Sequence, residues 1–281
     1  MKIFINTVKR PNSQITLASI PKQFLKNTHL VVQHWEKDEY KQYENDVNIV
    51  VLPNTDTYNC KINRAANSMT RLWIYTTYAD QKVLVVDDDL LFGRSNRKYF
   101  VDENKNKLEA NFEGSSRKNS EEDMIEMISY FDTKLDDKYT MCGPRIGGFP
   151  PGGKMENENA CIYSAFFVDT GKLKEVVSKT NVFEKCCIGE DVVLNALLFK
   201  HGHFTLRSNE FFFTNMSVQK DLPSECWDGL TDENYDICYN AINEEFPGLV
   251  TMKVGFRNKK SIYVNTRKIK SSNSKKEKSL L

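Results

Sequence analysis

The chain has 281 residues, a formal net charge of +1, 40% hydrophobic residues and 27% charged residues. This composition excludes wholesale disorder and a collagen-like sequence, and the length is enough for one large domain or two small ones. No apolar run approaches the ~20 residues of a membrane span, and the first residues lack the apolar core of a signal peptide. We therefore expect a cytoplasmic protein with no membrane partner.

Strands and helices alternate along the chain. Apolar runs bounded by turn residues predict strands at 2–7, 30–33, 47–52, 82–86, 139–143, 160–168, 203–206 and 210–213. Apolar side chains at helical spacing predict helices at 62–80, 120–132, 190–200 and 232–245, the second of them capped by Ser120. Residues 91–120 are polar and predict a loop, and the Gly- and Pro-rich segment 147–153 predicts another. This order favours an α/β fold with a mainly parallel sheet flanked by helices.

Three aspartates, Asp87, Asp88 and Asp89, follow the apolar strand at 82–86. Parallel sheets bind ligands at the carboxyl ends of their strands. In extended backbone alternate side chains share a face, which would bring Asp87 and Asp89 together and turn Asp88 away. Two carboxylates on one face are hard oxygen ligands for Mg²⁺ or Mn²⁺, ions that also bridge nucleotide phosphates. The alternative is an acidic turn after a buried strand.

A second acidic pair, Glu190 and Asp191, opens the helix predicted at 190–200. Acidic side chains are favoured at a helix N-terminus by the macrodipole and the unpaired N–H groups, so capping alone could explain them. A carboxylate at that place could also take a proton from a substrate hydroxyl.

The charge is unevenly distributed. Residues 253–278 contain ten Lys or Arg and one Glu, so this segment carries +9 and the rest of the chain −8. A basic segment on an acidic body is a candidate surface for DNA phosphates, and the alternative is a solvated C-terminus. We predict one domain over 1–252 and a basic segment over 253–281 with a flexible end. Seven cysteines without a CxxC pair indicate reduced, mostly buried thiols.

Several motifs within residues 60–250 resemble those of GT-A-fold glycosyltransferases. The resemblance rests on Thr70-Arg71-Leu72-Trp73, Asp87-Asp88-Asp89-Leu90-Leu91-Phe92, Cys142-Gly143-Pro144-Arg145, Asn159 before a strand, and Glu190-Asp191-Val192, in that order. More narrowly, these motifs look like the TET/JBP-associated group, many of them phage-encoded, which is implicated in glycosylating hydroxymethylated pyrimidines in DNA. The resemblance implies the GT-A fold, a nucleotide-sugar donor and a DNA acceptor. The donor of this fold is most commonly UDP-linked. If the protein is phage-encoded, the resemblance implies that it acts in the cytoplasm of the host cell.

The resemblance also implies roles for single residues on the donor side. Asp87 and Asp89 would hold the divalent ion and the diphosphate, and Asp88 would contact the ribose or support the ligands. The remaining donor contacts would come from Thr7, Lys9 and Arg10 in the turn after the first strand, and from Arg71, for which Arg64 is the competing candidate.

On the acceptor side, the resemblance implies a general base at Asp191 or Glu190, with Asp191 preferred. GT-A enzymes often use a third metal ligand, for which the chain offers His201, His203 and Asn215. The loop at 147–153 could admit the acceptor. An enzyme acting on a base in DNA must expose that base, and Phe149 and Trp227 are candidate wedges.

Three alternatives remain from the sequence. The same enzyme class could act on a glycan or a protein. A nucleotidyltransferase also places aspartates after a strand to hold a metal ion and a nucleotide. A DNA-binding protein with a vestigial catalytic domain is the third, and the two intact acidic pairs argue against it.

Overall fold

The computed structural model of the protein describes residues 1–147, 150–216, 230–254 and 260–270. Its strands are β1 (Lys2–Asn6), β2 (Thr28–Val32), β3 (Asn48–Val51), β4 (Lys82–Asp87), β5 (Leu90–Ser95), β6 (Phe100–Val101), β7 (Ser116–Lys118), β8 (Tyr139–Ile146), β9 (Gly153–Lys154), β10 (Glu156–Glu158), β11 (Ala165–Asp169), β12 (Phe204–Asn215), β13 (Val250–Val254) and β14 (Lys260–Val264). Its α-helices are α1 (Ala66–Thr77), α2 (Glu121–Asp136), α3 (Thr170–Val177), α4 (Glu190–Lys200) and α5 (Asp232–Glu245).

The described chain forms two compact units. The first contains residues 1–51, 81–169 and 205–216, and the second contains residues 52–80, 170–204 and 230–270, without the segments that the structure does not describe. The first unit holds the large sheet and α2, and the second holds α1, α3, α4, α5 and the β13–β14 hairpin.

The sheet of the first unit has ten strands in the order β3-β2-β1-β4-β11-β8-β12-β5-β7, with β10 beside β12. β1 pairs in parallel with β2 and β4, and β2 pairs in parallel with β3. β11 pairs antiparallel with both β4 and β8, so β8 runs in the same direction as β1–β4. The predicted α/β fold with a largely parallel sheet is confirmed, and β12, β5 and β7 add an antiparallel extension.

The prediction of a polar loop over 91–120 is wrong at its start and near its end. β5 begins directly after the aspartates, and β7 covers Ser116–Lys118. The polar residue that obscured β5 is Arg94, which is buried because three carboxylates surround it, those of Asp123, Glu126 and Glu210. A buried arginine is tolerated when it is paired in this way. The two strands predicted at 203–206 and 210–213 are a single strand, β12.

Helix α2 packs on the sheet of the first unit and closes its core. Its apolar face, which includes Met127 and Phe131, joins a buried cluster with the strand residues Leu84, Phe167 and Phe211. The rings of Phe131 and Phe167 lie 4.5 Å apart between centroids. Burying side chains of this size contributes roughly 1.5–3 kcal/mol each, so this layer is a main source of the unit's stability.

The start of α2 follows the sequence prediction. The Ser120 hydroxyl accepts a hydrogen bond from the Asp123 backbone N–H at 3.2 Å, and the Asp123 carboxylate accepts one from the Ser120 N–H at 3.0 Å. This reciprocal arrangement is a capping box, which satisfies donors that the helix itself leaves without partners.

The second unit is built around α1, α3 and α4, with α5 against β13. The Thr170 hydroxyl at the start of α3 donates to the Tyr78 carbonyl at the end of α1 at 2.7 Å. The predicted boundary between residues 252 and 253 falls inside β13, which pairs with β14. Within the described residues, the basic segment therefore begins as a hairpin, and its end at 271–281 lies outside them.

Three of the described cysteines, Cys142, Cys186 and Cys238, are buried, and the described cysteines form no disulfide. Across the residues that the structure describes, no helix combines the length and apolar character needed to cross a bilayer.

Candidate functional site

The triple aspartate lies at the carboxyl end of β4, between the parallel strands and β5. Asp87 is the last residue of β4, and Asp88 and Asp89 form the turn that leads to β5. Buried Thr16 holds this turn from three directions: its hydroxyl donates to the Asp87 carbonyl at 2.5 Å and accepts from the Leu90 N–H at 2.9 Å, and its N–H donates to the Asp88 carbonyl at 2.9 Å. The backbone that presents the carboxylates is therefore fixed by a side chain far away in sequence.

Two of the three carboxylates converge on Arg10. Its Nη1 lies 2.7 Å from Asp88 Oδ1 and 3.1 Å from Asp89 Oδ2. The side chains of all three residues are nearly buried, with 12%, 6% and 5% exposure for Arg10, Asp88 and Asp89. Asp88 Oδ2 also accepts a hydrogen bond from the Thr7 hydroxyl at 2.6 Å. Predicted site residues Thr7, Arg10, Asp88 and Asp89 thus form one hydrogen-bonded cluster.

The cluster changes the ionisation of its members. Burial raises the pKa of Asp88 to about 7, against the opposing effects of Arg10 and of the Thr7 hydroxyl. Burial alone lowers the pKa of Arg10, but the charges of Asp88 and Asp89 outweigh it, so the pKa of Arg10 is raised. Arg10 therefore remains a cation beside the aspartates at physiological pH.

The expected alternation of the three side chains does not extend beyond Asp87. Asp88 and Asp89 lie in a turn, where the two-residue period of a strand no longer applies, and both contact Arg10. Asp88 is turned toward Thr7, on the adjacent strand end, and is held there by two charge-assisted hydrogen bonds. The expectation that Asp88 points away from its neighbours is therefore wrong, because it shares Arg10 with Asp89.

The loop after β1 is anchored by three side chains that sequence reasoning missed. The carboxylate of buried Glu36 accepts the backbone N–H groups of Lys9 at 2.7 Å and Gln33 at 3.1 Å. The Tyr40 hydroxyl accepts the Arg10 N–H at 3.2 Å and lies 3.0 Å from the Thr7 hydroxyl. The Gln14 amide donates to Thr7 at 2.8 Å and to the Arg10 carbonyl at 2.9 Å.

These anchors explain the conformation of Lys9. Its φ of 53° is left-handed, which is uncommon for a residue with a side chain, and Glu36 holds its N–H in place. The Lys9 side chain is exposed, with its ammonium 5.8 Å from the centre of the Trp35 ring. Glu36 lies 27 residues from Lys9, just before a 3-10 helix over Lys37–Tyr43, so no local sequence pattern predicts this contact.

Among the candidates for a third metal ligand, only Asn215 belongs to the same unit as the aspartates. It pairs with Leu90 across the β5–β12 ladder, and the next N–H, that of Met216, donates to the Asp89 carbonyl at 2.8 Å. His201 and His203 follow α4 in the second unit, and burial lowers the pKa of both. Within the part of the chain that the structure describes, no group of three or more His, Cys, Asp or Glu side chains is arranged to hold a metal ion.

The second unit brings Arg71 and Glu190 together. Arg71 Nη1 lies 2.7 Å from Glu190 Oε1, and the Asn67 amide donates to the same oxygen at 3.2 Å. The two charged side chains are 7% and 13% exposed, so the pair is almost buried. Arg71 lies in the middle of α1, whereas the competing Arg64 precedes the helix. Glu190 thus fastens the N-terminus of α4 to α1.

Asp191 is the neighbouring acid at the start of α4. The N-cap position is Gly189, with a φ of 69°, and it makes no side-chain cap. Asp191 Oδ1 accepts the Val192 N–H at 2.8 Å, and Asp191 is half-buried. Of the two acids, Glu190 is paired with Arg71, and Asp191 satisfies the first turn of its own helix.

The loop at 147–153 is described except for residues 148 and 149, so the candidate wedge Phe149 lies outside the described residues, as does Trp227. Gly147, Gly152 and Gly153 all have φ between 71° and 89°, in the left-handed region that glycine adopts without strain. The Gly147 N–H donates to the Phe213 carbonyl at 3.0 Å, which ties the start of the loop to β12.

The comparisons with known proteins identify the class and then the family. The family model of the TET-associated glycosyltransferases matches residues 1–223, most of the chain. The protein is therefore a glycosyltransferase. It belongs to the TET-associated glycosyltransferase family, as the motifs around Asp87–Asp89 and Glu190 indicate.

One solved structure similar to this chain is the apo form of the glycosyltransferase GlyE of Streptococcus pneumoniae TIGR4, with 12% sequence identity and a TM-score of 0.34. The match covers 87% of this chain and 62% of that chain. No curated protein matches the sequence.

Proposed function

We propose that the protein transfers a sugar from a nucleotide-sugar donor, UDP-linked, to the hydroxymethyl group of a modified pyrimidine in DNA. The observation that carries the proposal is the cluster of carboxylates at the carboxyl end of β4, in a chain that belongs to the TET-associated glycosyltransferases. Ligands of α/β sheets bind at this edge, next to the loop after β1.

The donor would lie against the loop of Thr7, Lys9 and Arg10. The exposed Lys9 ammonium and the Arg10 guanidinium supply positive charge for a diphosphate, and Trp35 offers an aromatic surface beside Lys9. Arg10 is fixed by Asp88, Tyr40 and Gln14, so little side-chain freedom is lost when an anion binds. Asp88, which is buried and bonded to both residues, then serves to position Thr7 and Arg10.

The donor chemistry of this edge fits Mg²⁺ or Mn²⁺. Asp87 and Asp89 supply hard carboxylate oxygens, and Asn215 adds an amide oxygen on the neighbouring strand. Two or three protein oxygens suit such an ion, which keeps water and phosphate oxygens as its other ligands. When bound, the ion would stabilise the negative charge of the departing nucleoside diphosphate as a Lewis acid.

The second unit would supply the groups that act on the acceptor. Asp191 is our candidate for the general base that removes the proton from the acceptor hydroxyl. Glu190 is already paired with Arg71, so we assign both residues to positioning the start of α4. The basic residues of 253–281 would contact DNA phosphates.

The test is mass spectrometry of nucleosides from hydroxymethylcytosine-containing duplex DNA after incubation with the protein, Mn²⁺ or Mg²⁺, and a panel of nucleotide-sugars. We expect a new hexose or pentose mass on the modified base, lost with EDTA and lost in Asp89→Asn. Asp56→Asn removes the same charge from an exposed residue and should leave transfer unchanged.

Other outcomes separate the alternatives. Hydrolysis of a nucleotide-sugar without transfer to DNA would support the donor site and refute the DNA acceptor, leaving a glycan or a protein. Release of pyrophosphate from a nucleoside triphosphate would favour a nucleotidyltransferase and contradict the proposed reaction.

A further inference from the structure

The face of the sheet beside the candidate donor site carries two arginines, Arg145 on β8 and Arg207 on β12. β8 and β12 are neighbours in the sheet. Neither arginine contacts a carboxylate in the part of the chain that the structure describes, whereas Arg10, Arg71 and Arg94 all do. Arg145 is buried, and Arg207 is partly buried. Arginine is rarely buried without a paired negative charge, so the environment of Arg145 requires an explanation.

Arg145 is fixed in place by neutral groups. It is 7% exposed, and its guanidinium makes four hydrogen bonds, to the carbonyls of Asn209 at 3.0 Å, Ile146 at 3.3 Å and Gly147 at 2.6 Å, and to the Ser95 hydroxyl at 2.8 Å. Carbonyl and hydroxyl oxygens satisfy its donors but leave its full positive charge without compensation.

An aromatic ring supports the same guanidinium. Arg145 lies 5.0 Å from the centre of the Phe212 ring. The ring itself needs the glycine at position 93, because a Cβ there would approach it within 2.3 Å. The position of Arg145 is therefore built by three strands, β5, β8 and β12, before any ligand arrives.

Arg207 adds a second positive charge near Arg145. Its Nε is buried and has no hydrogen-bond partner among the described residues. Burial, together with the nearby charge of Arg207, lowers the pKa of Arg145 to about 10. Two like charges that repel each other on one face are costly unless an anion lies between them.

The strand register places this face beside the aspartates. Leu84 on β4 and Cys142 on β8 are both paired with Phe167 on the intervening β11. Three residues further along these two parallel strands, Asp87 and Arg145 therefore lie at the same level on the same face. Two strand spacings separate them, a distance of about 10 Å.

We propose that Arg145 and Arg207 bind a phosphate group of the acceptor, a phosphodiester of the DNA strand that carries the modified base. The site holds its ligand on the side of β8 away from β1, so it is separate from the Lys9 and Arg10 loop proposed for the donor diphosphate. The guanidinium of Arg207 would donate to the phosphate oxygens, whereas Arg145, whose donors are largely occupied by protein oxygens, would contribute mainly its positive charge. This inference rests on the proposed function, because it presupposes a nucleic-acid acceptor.

Arg207 is the residue to change, since Arg145 supports the fold through its hydrogen bonds. We expect Arg207→Gln to weaken binding of hydroxymethylcytosine duplex DNA about tenfold, as for the loss of a hydrogen bond to a charged group. The slope of log affinity against log salt concentration should fall by about one, as for one lost phosphate contact. Fluorescence anisotropy over a salt series measures both.

Three controls distinguish a phosphate contact from a general loss of positive charge and from a loss of folding. Lys118→Gln removes one charge from an exposed position on β7 and should leave affinity and slope unchanged. Arg207→Lys keeps the charge and should keep the slope, with part of the affinity lost. The thermal unfolding midpoint of Arg207→Gln should equal or exceed that of the wild type, because the variant removes a repelling charge and a buried donor. A clear fall in the midpoint would show that Arg207 stabilises the fold and would overturn the proposal.

Steady-state kinetics of sugar transfer show whether the arginines bind a phosphate of the DNA acceptor or the diphosphate of the donor. The proposal requires a higher KM for the DNA acceptor with an unchanged KM for the nucleotide-sugar. A higher donor KM with unchanged DNA affinity would show that the arginines bind the donor diphosphate instead, and it would overturn the proposal. If the wild type transfers sugar to DNA and Arg207→Gln has the same DNA affinity and transfer kinetics, the proposed phosphate site is refuted but the proposed function stands. If the wild type neither binds nor modifies DNA, the proposed function is refuted as well.

Discussion

The buried ion pair between Arg71 and Glu190 should contribute strongly to the stability of the second unit. The atoms are 2.7 Å apart, and the side chains are 7% and 13% exposed. Removing one partner of a buried pair costs about 3–5 kcal/mol, because the other charge stays buried. We expect Glu190→Gln to lower the free energy of unfolding by about 3 kcal/mol. This value is at the lower end of that range because the amide oxygen still accepts hydrogen bonds from Arg71 and Asn67.

A double-mutant cycle isolates the pair itself. Arg71→Met should cost a similar amount, and the double variant should cost about 2 kcal/mol less than the sum of the two single variants. Urea unfolding followed by tryptophan fluorescence suits this unit because Trp73 lies two residues from Arg71 on α1. Glu244→Gln, at an exposed position of α5, is the matched control and should change stability by less than about 0.5 kcal/mol. Additive single effects, or losses below about 1 kcal/mol, would refute a stabilising buried pair.

Three further predictions concern the first unit. Thr16→Val removes the hydroxyl that holds the aspartate turn, so we expect a loss of about 1–3 kcal/mol in unfolding free energy and a lower kcat; unchanged kinetics would show that the turn is held by other contacts. Glu36→Gln should raise the donor KM more than the acceptor KM, because the Lys9 N–H loses its charged acceptor; equal changes would contradict a donor role for this loop. For Asp123, burial acts to raise the pKa, but hydrogen bonds from Ser120, Arg94 and Arg117 outweigh it and hold the pKa below the ordinary value of an aspartate. Its contribution to stability is therefore complete above about pH 4 and lost as the pH falls through the folded-state pKa. Urea unfolding of wild type and Asp123→Asn should converge on acidification, and a constant difference would refute this linkage.

Local signals predicted the elements whose patterns are self-contained. Helices α4 and α5 begin and end at the predicted residues, and Ser120 caps α2 through a hydrogen bond within four residues. β4 was predicted because an uninterrupted apolar run is typical of a strand buried on both faces. The residues that define these features lie close together in sequence, so local sequence patterns are enough to predict them.

The missed features depend on partners that are distant in sequence. Arg94 makes β5 look polar, and only Asp123 and Glu210 explain how the strand can be buried. The loop after β1 is held by Glu36, whose carboxylate resembles any other in a polar stretch. Asp88 and Asp89 could not be oriented from strand alternation because the turn that follows Asp87 is set by Thr16.

The candidate site likewise combines features that local sequence predicts with contacts that it does not predict. The residue types and their order along the chain predict candidate side chains, and the family comparison supports the class of reaction. Their contacts were not predictable: the pairing of Arg71 with Glu190 joins residues 119 positions apart, and Arg10 meets Asp88 across 78 positions. Such pairs form only when the sheet and the helices have assembled.

Electron paramagnetic resonance of Mn²⁺ titrated with the protein and UDP tests whether the aspartates at the end of β4 hold the metal ion and the diphosphate together. It requires no knowledge of the acceptor or the sugar. We predict that the wild type and Asp56→Asn bind Mn²⁺ in the presence of UDP, and that Asp89→Asn binds it at least about tenfold more weakly while remaining folded, as expected for the loss of a metal ligand. Equal Mn²⁺ affinity for Asp89→Asn and the wild type would contradict a metal-dependent glycosyltransferase site at this edge of the sheet.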